Sequence, residues 1–218
     1  LQRLRHENIV VLYGVMNDKQ NQRIGLLLEY ADCGSLYNYL HRPDVDIAFC
    51  EKLNWMLQLA NGMVYLHDQK TVHRDLKTNN LLLFDNYRTL KICDFGTVKQ
   101  FATTNTEFVG TVCYMAPEVC VKTSFTKASD VYSFGVILWE IMYRKNPFNE
   151  FKNMKPMTIH KIILSDGNRK SIPQLFTGIG VKPNTKILED KILTIMTNCC
   201  SENAKLRPTC EVLKNNIP

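Results

Sequence analysis

The chain has 218 residues, 45% of them hydrophobic and 22% charged, and 27 Lys+Arg against 21 Asp+Glu give it a net charge of +6. This is the composition of an ordinary globular protein, long enough for one large core or two modest domains. The excess charge is scattered, and its richest stretch, Arg144 to Lys170, has no interleaved aromatic residues, so nucleic-acid binding is not expected.

In chain order, two apolar runs come first, Ile9–Val15 and Ile24–Tyr30, split by the polar turn Asn17–Arg23. They read as paired strands. After Asp32–Gly34 the pattern becomes helical, with Leu36, Tyr37, Tyr39 and Leu40, then an amphipathic stretch from about Ile47 to His67. A strand-and-loop segment is expected from Thr71 to Phe95. From Ala116 onward the chain reads as mostly helical, over Ser129–Met142, Met157–Leu164, Lys186–Cys200 and Thr209–Asn215. Ser165–Pro183 reads as a surface loop. Two strands followed by a helical body with a loop hairpin is an α+β layout. The longest apolar stretch, Val131–Met142, is interrupted by Glu140 and too short to cross a bilayer, and no signal-peptide pattern opens the chain.

Eight cysteines lie at 33, 50, 93, 113, 120, 199, 200 and 210. None forms a Cys-x-x-Cys pair and no histidine cluster accompanies them, which argues against zinc. Several sit in apolar runs, and there is no Asn-x-Ser/Thr acceptor, so reduced thiols in a cytoplasmic setting are expected.

The chemistry concentrates in His73-Arg74-Asp75-Leu76-Lys77-Thr78-Asn79-Asn80 and in Asp94-Phe95-Gly96, which begins fourteen residues after Asn80. Phosphoryl transfer needs positioning and charge neutralisation more than covalent chemistry. Asp75 would orient the attacking hydroxyl or take its proton, and Lys77 would reach the transferring phosphate. Asn80 and Asp94 would offer oxygen ligands to Mg2+, a hard cation.

These two motifs, followed in order by Ala116-Pro117-Glu118, resemble the signature set of protein kinases. The resemblance implies ATP and Mg2+ as cofactors and a protein-kinase fold, mainly the helical large lobe with remnant small-lobe strands. It divides the chain into a small-lobe remnant and hinge, 1–30, and a large lobe, 31–218, with catalytic loop 73–80 and activation segment 94–118. It implies that Leu28 is the gatekeeper, that backbone groups of Glu29 and Ala31 bind adenine, and that Leu82 lies beneath it. Asp130 would clamp the catalytic-loop backbone, and Glu118 and Arg207 would form a buried ion pair anchoring the peptide-binding segment. Leu1, Leu12, His73 and Phe95 fit the apolar spine linking the lobes.

Lys77 and Gly110-Thr111 resemble serine/threonine rather than tyrosine kinases, with the Thr111 hydroxyl bridging Asp75 and Lys77. The wider wording, including Asn8–Gly14, Gly34–His41 and Leu90–Thr97, is similar to the tyrosine-kinase-like group and, within it, to the transforming-growth-factor-β-activated MAP kinase kinase kinases. That likeness implies a MAP kinase kinase-like protein substrate, activating phosphorylation at Thr103 and Thr106 with phosphate paired to Arg74, and an activator or adaptor docking on the large lobe along 148–186. Cys93, before Asp94, resembles a thiol within reach of ATP-site inhibitors.

A glycine-rich phosphate loop, a strand lysine and its partner helix glutamate are expected of such an enzyme and are absent from these 218 residues. The expectation is that they lie upstream of Leu1, that this polypeptide alone is nearly inactive, and that apolar surface is exposed at Ile9–Leu12 and Ile24–Leu28. The alternative is a non-catalytic docking module.

Overall fold

The computed structural model describes residues 4–18, 23–94, 113–122, 124–147 and 186–218. The first two strands, β1 (Leu12–Asp18) and β2 (Arg23–Leu28), pair antiparallel from Leu12↔Leu28 to Asp18↔Arg23, with an irregularity between Leu12 and Gly14. The ladder thus runs through Asn17 and Arg23, which the sequence assigned to the turn; backbone hydrogen bonds tolerate polar side chains on a ribbon that faces water. The other end of the expected first strand is also corrected. Ile9 bridges Ile92 in parallel, Val10 N donates to Ile92 O at 2.9 Å, and Ile92 N donates to Asn8 O at 2.9 Å. Ile9 and Val10 are therefore 1% and 4% exposed and belong to the main core, not to an open apolar face. On β2, Ile24, Leu26, Leu27 and Leu28 are exposed as expected, and on β1 the exposed apolar residues are Tyr13, Val15 and Met16.

Helix α1 (Leu36–Leu40) starts where the Ser35 hydroxyl accepts from Asn38 N. Helix α2 (Phe49–Asp68) has no hydroxyl cap, but Glu51 reaches back to accept from Ala48 N at 2.9 Å. Its buried face, including Trp55, Met56, Leu59, Met63 and Leu66, carries the core. Strands β3 (Leu81–Phe84) and β4 (Thr89–Ile92) form an antiparallel hairpin against it. The turn between them holds Asp85, Asn86 and Tyr87 in left-handed backbone conformations (φ 53, 53 and 65). Tyr87 bears this because it is fastened: its carbonyl accepts from Trp55 Nε1 at 2.7 Å and its ring stacks on Tyr39 at 3.9 Å.

A short helix, α3 (Pro117–Lys122), precedes α4 (Lys127–Tyr143), whose N-terminus is closed by reciprocal bonds between Thr126 and Ser129. Every residue of α4 from Ser129 to Ile141 is buried, which makes it the axis of the helical body. Its C-cap, Arg144, is left-handed at φ 54, and its guanidinium donates to the carbonyls of Leu40, at the end of α1, and of Val45 beyond it. Helix α5 (Lys186–Cys199) packs on α4, and α6 (Cys210–Asn216), capped by Thr209, packs on α2. The mixed helix-and-hairpin architecture is the α+β class expected. The expected helix Met157–Leu164 and the loop Ser165–Pro183 lie outside the described residues.

Candidate active site

The 73–80 loop is held before its reactive groups are counted. The Asp130 carboxylate, 2% exposed on α4, accepts from His73 N at 2.8 Å and Arg74 N at 3.0 Å, and from His67 Nε2 at 3.0 Å. Three donors compensate the burial of this carboxylate and turn it into a fixed backbone clamp. The His67 bond has no signal in the motif; it comes from a residue six positions upstream on α2, whose Nδ1 in turn lies 3.3 Å from Cys210 Sγ. Arg74 sits at φ 74, a strained setting for a bulky residue, and its side chain is exposed.

Asp75 and Lys77 then meet. Lys77 Nζ lies 3.1 Å from Asp75 Oδ2, with both side chains largely shielded. Asn80 Nδ2 donates to the Asp75 carbonyl at 2.7 Å and to Asp75 Oδ2 at 3.1 Å, which leaves its amide oxygen as the atom offered elsewhere. Asp94 reaches the same place by way of the hairpin. Cys93 N donates to Asn80 O at 2.9 Å, and His73 Nε2 donates to Cys93 O at 2.9 Å while its Nδ1 accepts from Asp75 N at 3.3 Å. One imidazole in a defined tautomer thus joins the loop to the strand exit. Asp94 follows in left-handed conformation (φ 62) and is exposed as a residue. Hard oxygens from Asn80 and Asp94 beside a carboxylate–ammonium pair suit a magnesium–phosphate group. Burial, with Asp94 and Asp75 adding repulsion, pushes the Cys93 thiol up to about 12.

The predicted nucleotide-binding residues are spread along the β2 exit and β3. Leu28 pairs with Leu12 at the end of the ribbon and is 43% exposed, Ala31 is half-buried, and Leu82 is half-buried opposite Lys91. Glu29 shows a contact that sequence reading missed. Its N–H donates to Val11 O, its carboxylate accepts from Val11 N at 3.2 Å, and Lys91 on β4 pairs with that carboxylate. Leu12 is half-buried on β1, and His73 is buried.

Glu118 and Arg207 meet as a two-pronged pair, at 2.6 and 2.8 Å, and Arg207 also donates to the carbonyls of Ser201 and Ala128. The Arg207 side chain is fully buried, whereas that of Glu118 is 26% exposed, so the pair is buried from one side only. Thr103, Thr106, Thr111, Phe95 and Leu1, and segment 148–186 apart from Lys186, lie outside the described residues.

The family model described as protein kinase domain matches residues 1–216. Mitogen-activated protein kinase kinase kinase 7 of Homo sapiens is 37% identical over 97% of this chain and 33% of its own length. A putative mitogen-activated protein kinase kinase kinase 7-like protein of Drosophila melanogaster is 33% identical over 98% of this chain and 52% of its own length. The mom-4 mitogen-activated protein kinase kinase kinase of Caenorhabditis elegans is 32% identical over 94% of this chain and 35% of its own length. The chain therefore spans between a third and a half of these curated relatives.

Proposed function

Because this chain belongs to the protein kinase domain family, we propose that the protein to which it belongs transfers the γ-phosphoryl group of ATP to serine or threonine of a signalling protein, as a MAP kinase kinase kinase. The observation that carries this reading is the Asp75–Lys77 pair at 3.1 Å, on a loop whose backbone is clamped by Asp130. Asp75 orients the substrate hydroxyl and accepts its proton, and Lys77 holds charge against the moving phosphoryl group. Asn80, through the amide oxygen left by its bonds to Asp75, and Asp94 would hold Mg2+. Bound there, the cation would neutralise charge developing on the phosphate oxygens.

On this reading residues 1–30 are small-lobe and hinge, with Leu28, Glu29, Ala31 and Leu82 around adenine, and residues 31–218 the large lobe. Phosphate on Thr103 or Thr106 pairs with Arg74, and the Thr111 hydroxyl bridges Asp75 and Lys77. The substrate is a MAP kinase kinase-like protein in the cytoplasm, and an activator docks on the large lobe.

The test is label transfer from γ-labelled ATP with Mg2+, in the longest natural form of the protein and in this chain, each beside its Asp75→Asn variant. Loss of about 10²–10⁴-fold in rate is expected for that variant. Equal labelling with and without the carboxylate, or none in either form alongside intact protein binding, would favour the docking-module alternative.

A further inference from the structure

Asp130 ties the front of the 73–80 loop, and the rear is tied separately. Thr78 is fully buried, and its hydroxyl donates to Glu140 Oε2 at 3.0 Å. The same oxygen accepts from the Tyr114 hydroxyl at 2.5 Å, and the two hydroxyls are 3.2 Å apart. The other oxygen, Oε1, lies 2.9 Å from His41 Nε2. Glu140 itself is 0% exposed.

A carboxylate removed from water in this way keeps its charge only by accepting hydrogen bonds or meeting a cation. Glu140 has three donors, one of them an imidazole whose side chain is 19% exposed. Burial first, and then Glu140, hold the Tyr114 hydroxyl well above the usual phenol range, so Tyr114 remains a donor. Glu140 lies ten residues along α4 from Asp130, about 15 Å at the helical rise. One helix, buried from Ser129 to Ile141, therefore presents two carboxylates to the same loop, one at each end.

We infer that Glu140 is a second clamp of the catalytic loop, a positioning residue acting through the Thr78 hydroxyl with His41 as its outer partner. Thr78 opens a 3-10 turn of three residues, Thr78–Asn80, directly after Lys77, and Asn80 N donates to Lys77 O at 2.9 Å within it. Fixing the Thr78 side chain therefore fixes the bases of both Lys77 and Asn80. Through Tyr114 the same carboxylate reaches the segment two residues before Ala116, and through His41 it reaches the C-terminal end of α1. The functional consequence rests on the phosphoryl-transfer reading; the clamp does not.

The experiment compares wild type, Thr78→Val and Thr78→Ser. Valine keeps the shape and removes the hydroxyl, whereas serine keeps the hydroxyl. Amide hydrogen exchange of this chain is expected to rise about tenfold at Asn80 and Cys93 in Thr78→Val and to stay near wild type in Thr78→Ser. In the longest natural form, the rate of label transfer from γ-labelled ATP at saturation should fall about tenfold in Thr78→Val, with KM for ATP within about twofold, and recover in Thr78→Ser. Exchange unchanged in Thr78→Val overturns the clamp whether or not phosphate is transferred. Raised exchange in a protein that transfers no phosphate supports the clamp and counts against the phosphoryl-transfer reading. A lower Tm in Thr78→Val with an unchanged rate per folded molecule would make Thr78 structural only and overturn its positioning role.

Discussion

At the scale of single residues, the geometry of individual side chains decides what a substitution costs. Arg207 is the clearest case, because its planar fork makes two bonds to Glu118 while its remaining donors serve the Ser201 and Ala128 carbonyls. It also lies over the Tyr132 ring at 5.2 Å. Lysine keeps the charge but is a single point of donation and cannot fill this fork. Arg207→Lys should therefore lower stability by about 2–4 kcal/mol, since carbonyls and a carboxylate lose buried partners. A denaturant midpoint within experimental error of wild type would show that the fork is dispensable. The same scale sets the limit of sequence reading. That Asp75, Lys77 and Asn80 would meet was legible because they lie within six residues of one another on a single loop. His67 beside Asp130, Lys91 beside Glu29 and Thr78 beside Glu140 were not, because these contacts join residues about sixty positions apart. No periodicity encodes such a distance. Thr78 is buried in a polar run that resembles an exposed loop.

At the scale of elements, helices were read well and strand ends poorly. The buried stripe of α2 follows from 3.6-residue periodicity and α4 from its long, mostly apolar stretch, and their observed ends fall within about two residues of those expected. The run Ile9–Val15 was read as one strand because apolarity carries no information about which partner a strand will choose. Ile9 and Val10 go to β4, and pairing with β2 starts only at Leu12. What lets Ile9 and Val10 dock there is a glycine. A Cβ on Gly62 of α2 would stand 2.8 Å from Ile92 Cδ1 and 2.9 Å from Asn8 O. A second close approach joins α4 to α5, where a Cβ on Gly135 would meet Cys200 Sγ at 2.6 Å and Cys199 Cβ at 2.7 Å. Gly135→Ala gains helix propensity of up to about 1 kcal/mol but must push these packed helices apart, and overpacking of this kind costs about 1–3 kcal/mol. A net loss of stability is expected. Cys200→Ala should relieve it only partly, because the Cys199 Cβ cannot swing away. A fully additive double mutant, measured by chemical denaturation, would sink this account of the α4–α5 contact.

At the scale of the whole molecule, stability has an alkaline edge written into its thiols. Burial raises Cys113 to about 11 and Cys93 to about 12 from an ordinary 9.0, and it pushes Cys199, Cys200 and Cys210 upward as well. Four of these five sit in the packed helical body, so the fold, and not a local pair, holds them protonated. A raised value in the folded state means that folding favours the protonated thiol. This contribution is complete below about pH 9 and is lost as pH rises through the folded values. The unfolded chain, by contrast, releases these protons from about pH 9 upward. The Tm should thus be insensitive to thiol ionisation between pH 7 and 8.5 and should fall steadily between about pH 9 and 11. Other groups also lose protons at alkaline pH, so the thiol share is isolated by substitution. Cys113→Ala, in which the titrating group is gone, should start from a lower Tm and lose less of it between pH 9 and 11. If the variant and wild type decline in parallel, the Cys113 thiol contributes nothing to the alkaline edge.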